Sequence, residues 1–279
     1  MKKTITAIIA LAGVATADVI NLTPLTNEEG WEFGRARDKN SYAVQDATQG
    51  TLTSTNVNWS GAYAVYTLSD SITLQNVEDT MTVSFTILSS YASGPFNGNN
   101  WGVCMTGTLI GGDTALTYGA GRYDKNVLDS SGNVNWEGDA NGAASIQMAV
   151  SDHVDYTFFN MKETLGSNAP LTEYSEATGV LKNNVALTLT STIQWDATQS
   201  AFVATVTYGD NNAVLGTAVL GETFTLEKIN LSVDTGQKGS DLFAQVSNLT
   251  VSANIVPEPT TATLSLLALA GLAARRRRK

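Results

Sequence analysis

The sequence predicts an all-β protein built as an antiparallel sandwich, and three observations predict it. Apolar and polar residues alternate with period two along several runs, the signature of strands with one buried face. No long stretch shows the 3.6-residue periodicity of an amphipathic helix. Between the runs lie turn residues, chiefly Gly, Asn and Asp, as an antiparallel meander requires.

Met81, Val83, Phe85 and Ile87 alternate with Thr82, Ser84 and Thr86, predicting a strand over Met81–Leu88. Val185, Leu187, Leu189, Ser191, Ile193 and Trp195 alternate with Ala186, Thr188, Thr190, Thr192 and Gln194. Phe202, Ala204, Val206 and Tyr208 do the same with Val203, Thr205 and Thr207. The polar stretch Asp196-Ala197-Thr198-Gln199-Ser200 separates these two runs, so they predict a long β-hairpin with Trp195 on its buried side. Phe224–Val233 and Ala244–Ala253 supply two more strands, and an opening stretch spans Trp59 to Leu74. Pro24, Pro95 and Pro170 sit beside turn residues and not within an alternating run, as a sheet demands. No Pro/Ser-rich linker interrupts residues 18–253, so the expectation is one domain.

Composition narrows the function. Of 279 residues, 43% are hydrophobic, enough for a sizeable core, and 15% are charged, against roughly 25% in an average domain. Thr, Ser, Asn and Gly take the place of the missing charge, the composition of exported β-proteins. The formal net charge is −10. Seven of the 16 basic residues but only one of the 26 acidic ones lie in the two terminal segments, which leaves the intervening chain near −16. Such a surface excludes nucleic acid as a partner, since phosphate neutralisation needs a basic face. The single cysteine, Cys104, permits no internal disulfide and reads as a small buried apolar residue.

Met1-Lys2-Lys3, an apolar run from Ile5 to Ala15 and Ala15-Thr16-Ala17 make a basic n-region, a short h-region and an A-x-A cleavage site. Residues 1–17 are therefore expected to be a signal peptide, residues 18–255 the β-sandwich and residues 256–279 a separate tail. The tail reads Val256-Pro257-Glu258-Pro259-Thr260-Thr261-Ala262, then an apolar stretch from Thr263 to Ala274, then Arg275-Arg276-Arg277-Arg278-Lys279. The prolines hold an extended, exposed segment, the Leu/Ala stretch suits a short membrane helix, and the five cations keep the last residues cytoplasmic.

This tail resembles the PEP-CTERM sorting signal, in which Pro-Glu-Pro, a transmembrane stretch and a terminal Arg cluster follow one another. The resemblance covers about the last 24 residues. It implies recognition by an exosortase, a membrane transpeptidase, and cleavage near Pro257-Glu258-Pro259. It further implies a transient inner-membrane anchor, then the outer surface or extracellular matrix of a Gram-negative-type bacterium. Between the two signals, the order of elements resembles a concanavalin A-like or laminin-G-like jelly roll, a likeness of pattern and not of signature residues.

Several chemistries can be weighed. Jelly-roll glucanases carry carboxylates as Glu-x-Asp-x-x-Glu on one strand. Glu137-Gly138-Asp139-Ala140-Asn141-Gly142 lacks the second Glu and has loop composition, so a glycoside hydrolase is the alternative and not the main reading. A Ser-His-Asp site would have to use His153, the only histidine, which lies in the polar turn Asp152-His153-Val154-Asp155 with no Gly-x-Ser-x-Gly elbow. Structural zinc lacks the His and Cys ligands it needs.

Calcium wants loop oxygens, and Asp124, Asp129 and Asp139 are the candidate ligands, in a solvated acidic loop that does not match EF-hand spacing. Polysaccharide wants an aromatic platform beside amides and carboxylates. Trp101 among Asn97, Asn99 and Asn100, Trp136 between Asn135 and Glu137, and Tyr118 and Tyr123 flanking a Gly-rich loop are the candidates. The sequence therefore points to a glycan-binding or matrix-structural sandwich more than to an enzyme.

Overall fold

A computed structural model describes residues 18–22, 31–35, 43–46, 51–55, 60–90, 103–112, 114–121, 127–128, 134–135, 145–151, 171–178, 180–182, 184–235 and 243–256. Among them are seventeen strands and no helix. The first six are β1 (Asp18–Leu22), β2 (Trp31–Arg35), β3 (Ala43–Asp46), β4 (Thr51–Thr55), β5 (Ser60–Leu74) and β6 (Thr80–Ser90). Then come β7 (Val103–Gly111), β8 (Thr114–Gly121), β9 (Val127–Leu128), β10 (Val134–Asn135), β11 (Ser145–Ser151) and β12 (Leu171–Thr178). The last five are β13 (Leu187–Asp196), β14 (Ala201–Tyr208), β15 (Ala213–Gly221), β16 (Phe224–Thr235) and β17 (Phe243–Ile255).

Two antiparallel sheets form the sandwich. The first runs β15-β14-β13-β6-β17-β4-β3, with β1 added along the second half of β17, and the second runs β12-β11-β8-β7-β16-β5-β2. The chain crosses between them repeatedly, from β4 to β5, β5 to β6, β15 to β16 and β16 to β17. This is the all-β, antiparallel sandwich that the alternation predicts, in the jelly-roll arrangement that the order of elements resembles.

The alternating residues face where the pattern places them. Met81, Val83, Phe85 and Ile87 of β6, Leu189 and Ile193 of β13, and Phe202, Ala204 and Val206 of β14 are buried between the sheets. Leu226, Ile229, Leu231 and Val233 of β16 meet them from the other side. At about 25 cal/mol per Å² of apolar surface, each such aliphatic side chain contributes roughly 2 kcal/mol of transfer free energy. Trp195 is half-buried, packed on the core and edge-on to Phe202, with ring centroids 5.4 Å apart. Val185 departs from the expectation, because β13 starts at Leu187 and leaves Val185 exposed.

The hairpin turn is fixed by Asp196. Its Oδ1 accepts hydrogen bonds from the backbone N–H of Thr198 at 2.7 Å and of Gln199 at 3.3 Å, and from the Thr198 hydroxyl. Ser200 closes the turn with φ of 52°, and Asp196 pairs with Ala201 in the ladder.

Tyr118 corrects one expectation. It does not flank a Gly-rich loop but stands within β8, whose Leu116 and Tyr118 point into the core. Its ring stacks on Phe85 at 5.0 Å, and its hydroxyl donates to the Val83 carbonyl at 3.0 Å, tying one sheet to the other. Burial pushes the phenol's pKa far up, so the hydroxyl remains a donor. The neighbouring glycine marks close packing and not a turn: a Cβ at Gly119 would lie 2.2 Å from the Met105 carbonyl oxygen of the adjacent strand.

Candidate functional site

The register of the second sheet lines up its loop stems. Thr235 pairs with Val103 and with Ser60, Cys104 with Gly121, and Gly121 with Ser145. Ser90 and Thr55 both pair with Phe243 in the first sheet, and only residues 56–59 separate Thr55 from Ser60. All these strand ends therefore lie at one end of the sandwich. Segments 91–102, 122–144 and 236–242 start and finish there.

Trp101 belongs to the first of those segments; Tyr123, Asp124, Asp129, Trp136 and Asp139 belong to the second. Glycan contact and calcium ligation by these residues lie outside the described residues, as do Glu137 and His153. Cys104 is placed in β7, but its side chain also falls outside them. Among the described residues no three His, Cys, Asp or Glu side chains converge as a metal site.

The opposite end carries the β5–β6 turn, the β13–β14 hairpin, the start of β1 and the exit of β17, since Thr80 pairs with both Gln194 and Asn254, and Asp18 with Ile255. Strand β17 has 13 residues and spans about 43 Å, so the tail leaves the fold a whole sandwich length from the loop stems. Asp79 closes this end. Its carboxylate is fully buried, with Oδ2 accepting from the backbone N–H of Gln75 at 2.9 Å and of Asn76 at 2.8 Å. Oδ1 accepts from the Val256 N–H at 2.8 Å, and the Asn76 side-chain amide donates to the Val256 carbonyl at 2.9 Å. Sequence reasoning passed over Asp79. The available signal was an Asn and an Asp three apart in the polar break Gln75-Asn76-Val77-Glu78-Asp79 between two strands.

Two further polar features belong to the described residues. On β7, β8 and β16, residues facing away from the core are also buried: Thr106, Thr108, Thr117, Asn230 and Ser232, none more than 4% exposed. The Thr108 and Thr117 hydroxyls are 3.0 Å apart, while Asn230 Oδ1 has no partner among the described residues. At the hairpin end, Glu173, Gln194, Asp196, Gln199, Thr205 and Thr217 line a hollow of about 240 Å³. Its amides, hydroxyls and carboxylates can hydrogen-bond a polyol, but its lining includes no aromatic ring for a sugar face. The Thr198 hydroxyl and backbone N–H hold the Asp196 carboxyl below the usual aspartate range, so it stays ionised and cannot serve as a general acid near neutrality.

No family model matches the chain, and no curated protein matches its sequence. Among solved structures, the carbohydrate recognition domain of Emp47p is similar at a TM-score of 0.49 and 12% identity, covering 84% of this chain and 95% of that one. A winged bean acidic lectin complexed with methyl-α-D-galactose is similar at a TM-score of 0.47 and 11% identity, covering 85% and 98%. Lectin UEA-II complexed with galactose follows at 0.44 and 12%, also covering 85% and 98%.

Proposed function

We propose that this chain is an exported, exosortase-sorted protein of the bacterial surface or extracellular matrix, whose sandwich binds polysaccharide through the loops at the end remote from the tail. The observation that carries this reading is that the stems of segments 91–102 and 122–144 lie at the opposite end of one sandwich from the exit of β17. Loops held by a rigid scaffold are where recognition residues concentrate. Segments 91–102 and 122–144 bring Trp101, Tyr123 and Trp136, with Asp124, Asp129 and Asp139 as calcium ligands that would fix the loops. Lectins among the structures of similar shape are in keeping with a sugar ligand without supplying one.

The test is a broad glycan array probed with residues 18–256, with and without calcium. Binding that falls at least tenfold in Trp101→Ala or Trp136→Ala supports the site, about the 1–2 kcal/mol expected for one stacked ring. No binding to any glycan under either condition would leave a passive matrix component. The sorting half is tested by intact mass: mature protein that still ends at Lys279 would overturn it.

A further inference from the structure

Asp79 and Asn76 hold the chain at its last described residue, one position before Pro257-Glu258-Pro259. Both backbone polar groups of Val256 are engaged by side chains of the β5–β6 turn, 177 and 180 residues away in sequence. Asn76 and Asp79 are themselves joined, the Asp79 N–H donating to the Asn76 carbonyl at 2.8 Å. The grip thus stands on a closed turn and not on a single contact.

From Val256 to the start of the apolar stretch at Thr263 is seven residues, at most about 25 Å of extended chain. That is shorter than the sandwich is long. We propose that the β5–β6 turn is a clamp that fixes the chain's exit at Val256, so that before processing the clamp end of the sandwich faces the lipid bilayer and the loop end points away from it. Asp79 and Asn76 are positioning residues in this arrangement. Val77, at the tip of the same turn and 62% exposed, is then the side chain presented to the headgroups. The proposal rests on the reading of residues 263–274 as a membrane-inserting stretch.

The full chain, in a Cys104→Ala background, is reconstituted into vesicles of phosphatidylethanolamine and phosphatidylglycerol carrying a headgroup nitroxide. One variant bears a fluorophore at Val77→Cys and another at Asp210→Cys, the latter in the β14–β15 turn at the loop end. The expected result is flotation with the vesicles and quenching several-fold stronger at position 77 than at 210. Adding Asn76→Ala should narrow that difference. In the unlabelled chain Asp79→Ala, which removes the acceptor of the Val256 N–H, should raise the exchange rate of that amide about tenfold, leaving Val251 and Ala253 protected. Flotation with equal quenching would overturn the orientation while leaving membrane insertion standing. Failure to float would overturn the insertion itself. Exchange of Val256 at the free-peptide rate in the unmodified chain would overturn the clamp whatever the vesicles show.

Discussion

Replacing Asp79 with alanine should destabilise the sandwich by about 2–4 kcal/mol. Three backbone N–H groups, those of Gln75, Asn76 and Val256, lose their acceptor at once. An ordinary hydrogen bond contributes about 1 kcal/mol net, and one to a carboxylate up to roughly twice that. Three such bonds suggest about 3–6 kcal/mol. Against this stands the desolvation of a fully buried carboxylate with no cation bonded to it among the described residues, which the substitution relieves and which lowers the figure by a kcal/mol or two. Asp79→Asn should fall between, because its oxygen can still accept from Val256 while its amide group faces two donors. Urea denaturation followed by tryptophan fluorescence measures both variants, with the slope against denaturant unchanged. A loss below about 0.5 kcal/mol for alanine would mean that the turn and the strand end hold without the carboxylate, and the reasoning would fail.

Other changes should act through single, separable causes. Tyr118→Phe removes the hydroxyl bond to Val83 while keeping the stacked ring, and should cost about 1–2 kcal/mol by thermal or urea unfolding. Ser191→Ala should be neutral or stabilising by up to about 1 kcal/mol, since the Ser191 hydroxyl is buried without a partner among the described residues; a clear loss would show that it has one. Gly111→Ala should be more damaging than a surface alanine, because its Cβ would overlap the Thr225 carbonyl, and soluble yield or unfolding midpoint reads this. Asp196 should titrate below the usual aspartate range by NMR. Its turn therefore contributes stability that is present above the unfolded-state pKa and lost as pH falls through the lower folded value, and Asp196→Asn should flatten that acid-side loss.

What the sequence disclosed depended on having one wet face. Strands β6, β13, β14, β16 and β17 are visible because Thr and Ser alternate with aliphatic residues. Strands β7 and β8 were hidden because Thr106, Thr108 and Thr117, which mark an outer face by composition, are as buried as the core, and because Gly107 and Gly119 break the apolar rhythm. Those glycines answer to space. A Cβ at Gly107 would lie 2.4 Å from a Phe85 ring carbon, a distance no one-dimensional pattern reveals. The loop aromatics and carboxylates were legible as residue types. The clamp was not, because its partners meet only when a turn near residue 77 and a strand end near residue 255 reach the same end of the sandwich.

The two ends of the sandwich answer different physical demands. At the loop end, short stems from both sheets converge, and long segments can vary without disturbing the ladders that hold them. At the other end three connections are tight, the β5–β6 turn, the β7–β8 turn at Gly112 with φ of 57° and the Asp196 hairpin, and one long segment, 152–170, also starts and finishes there. A closed end protects the ladders, because a frayed β17 would expose the pairing edges of both β6 and β1. Asp79 meets that need by satisfying the first N–H beyond the ladder. The β5–β6 turn thus does for the exit of β17 what a cap does for a helix: it supplies an acceptor where the regular bonding stops.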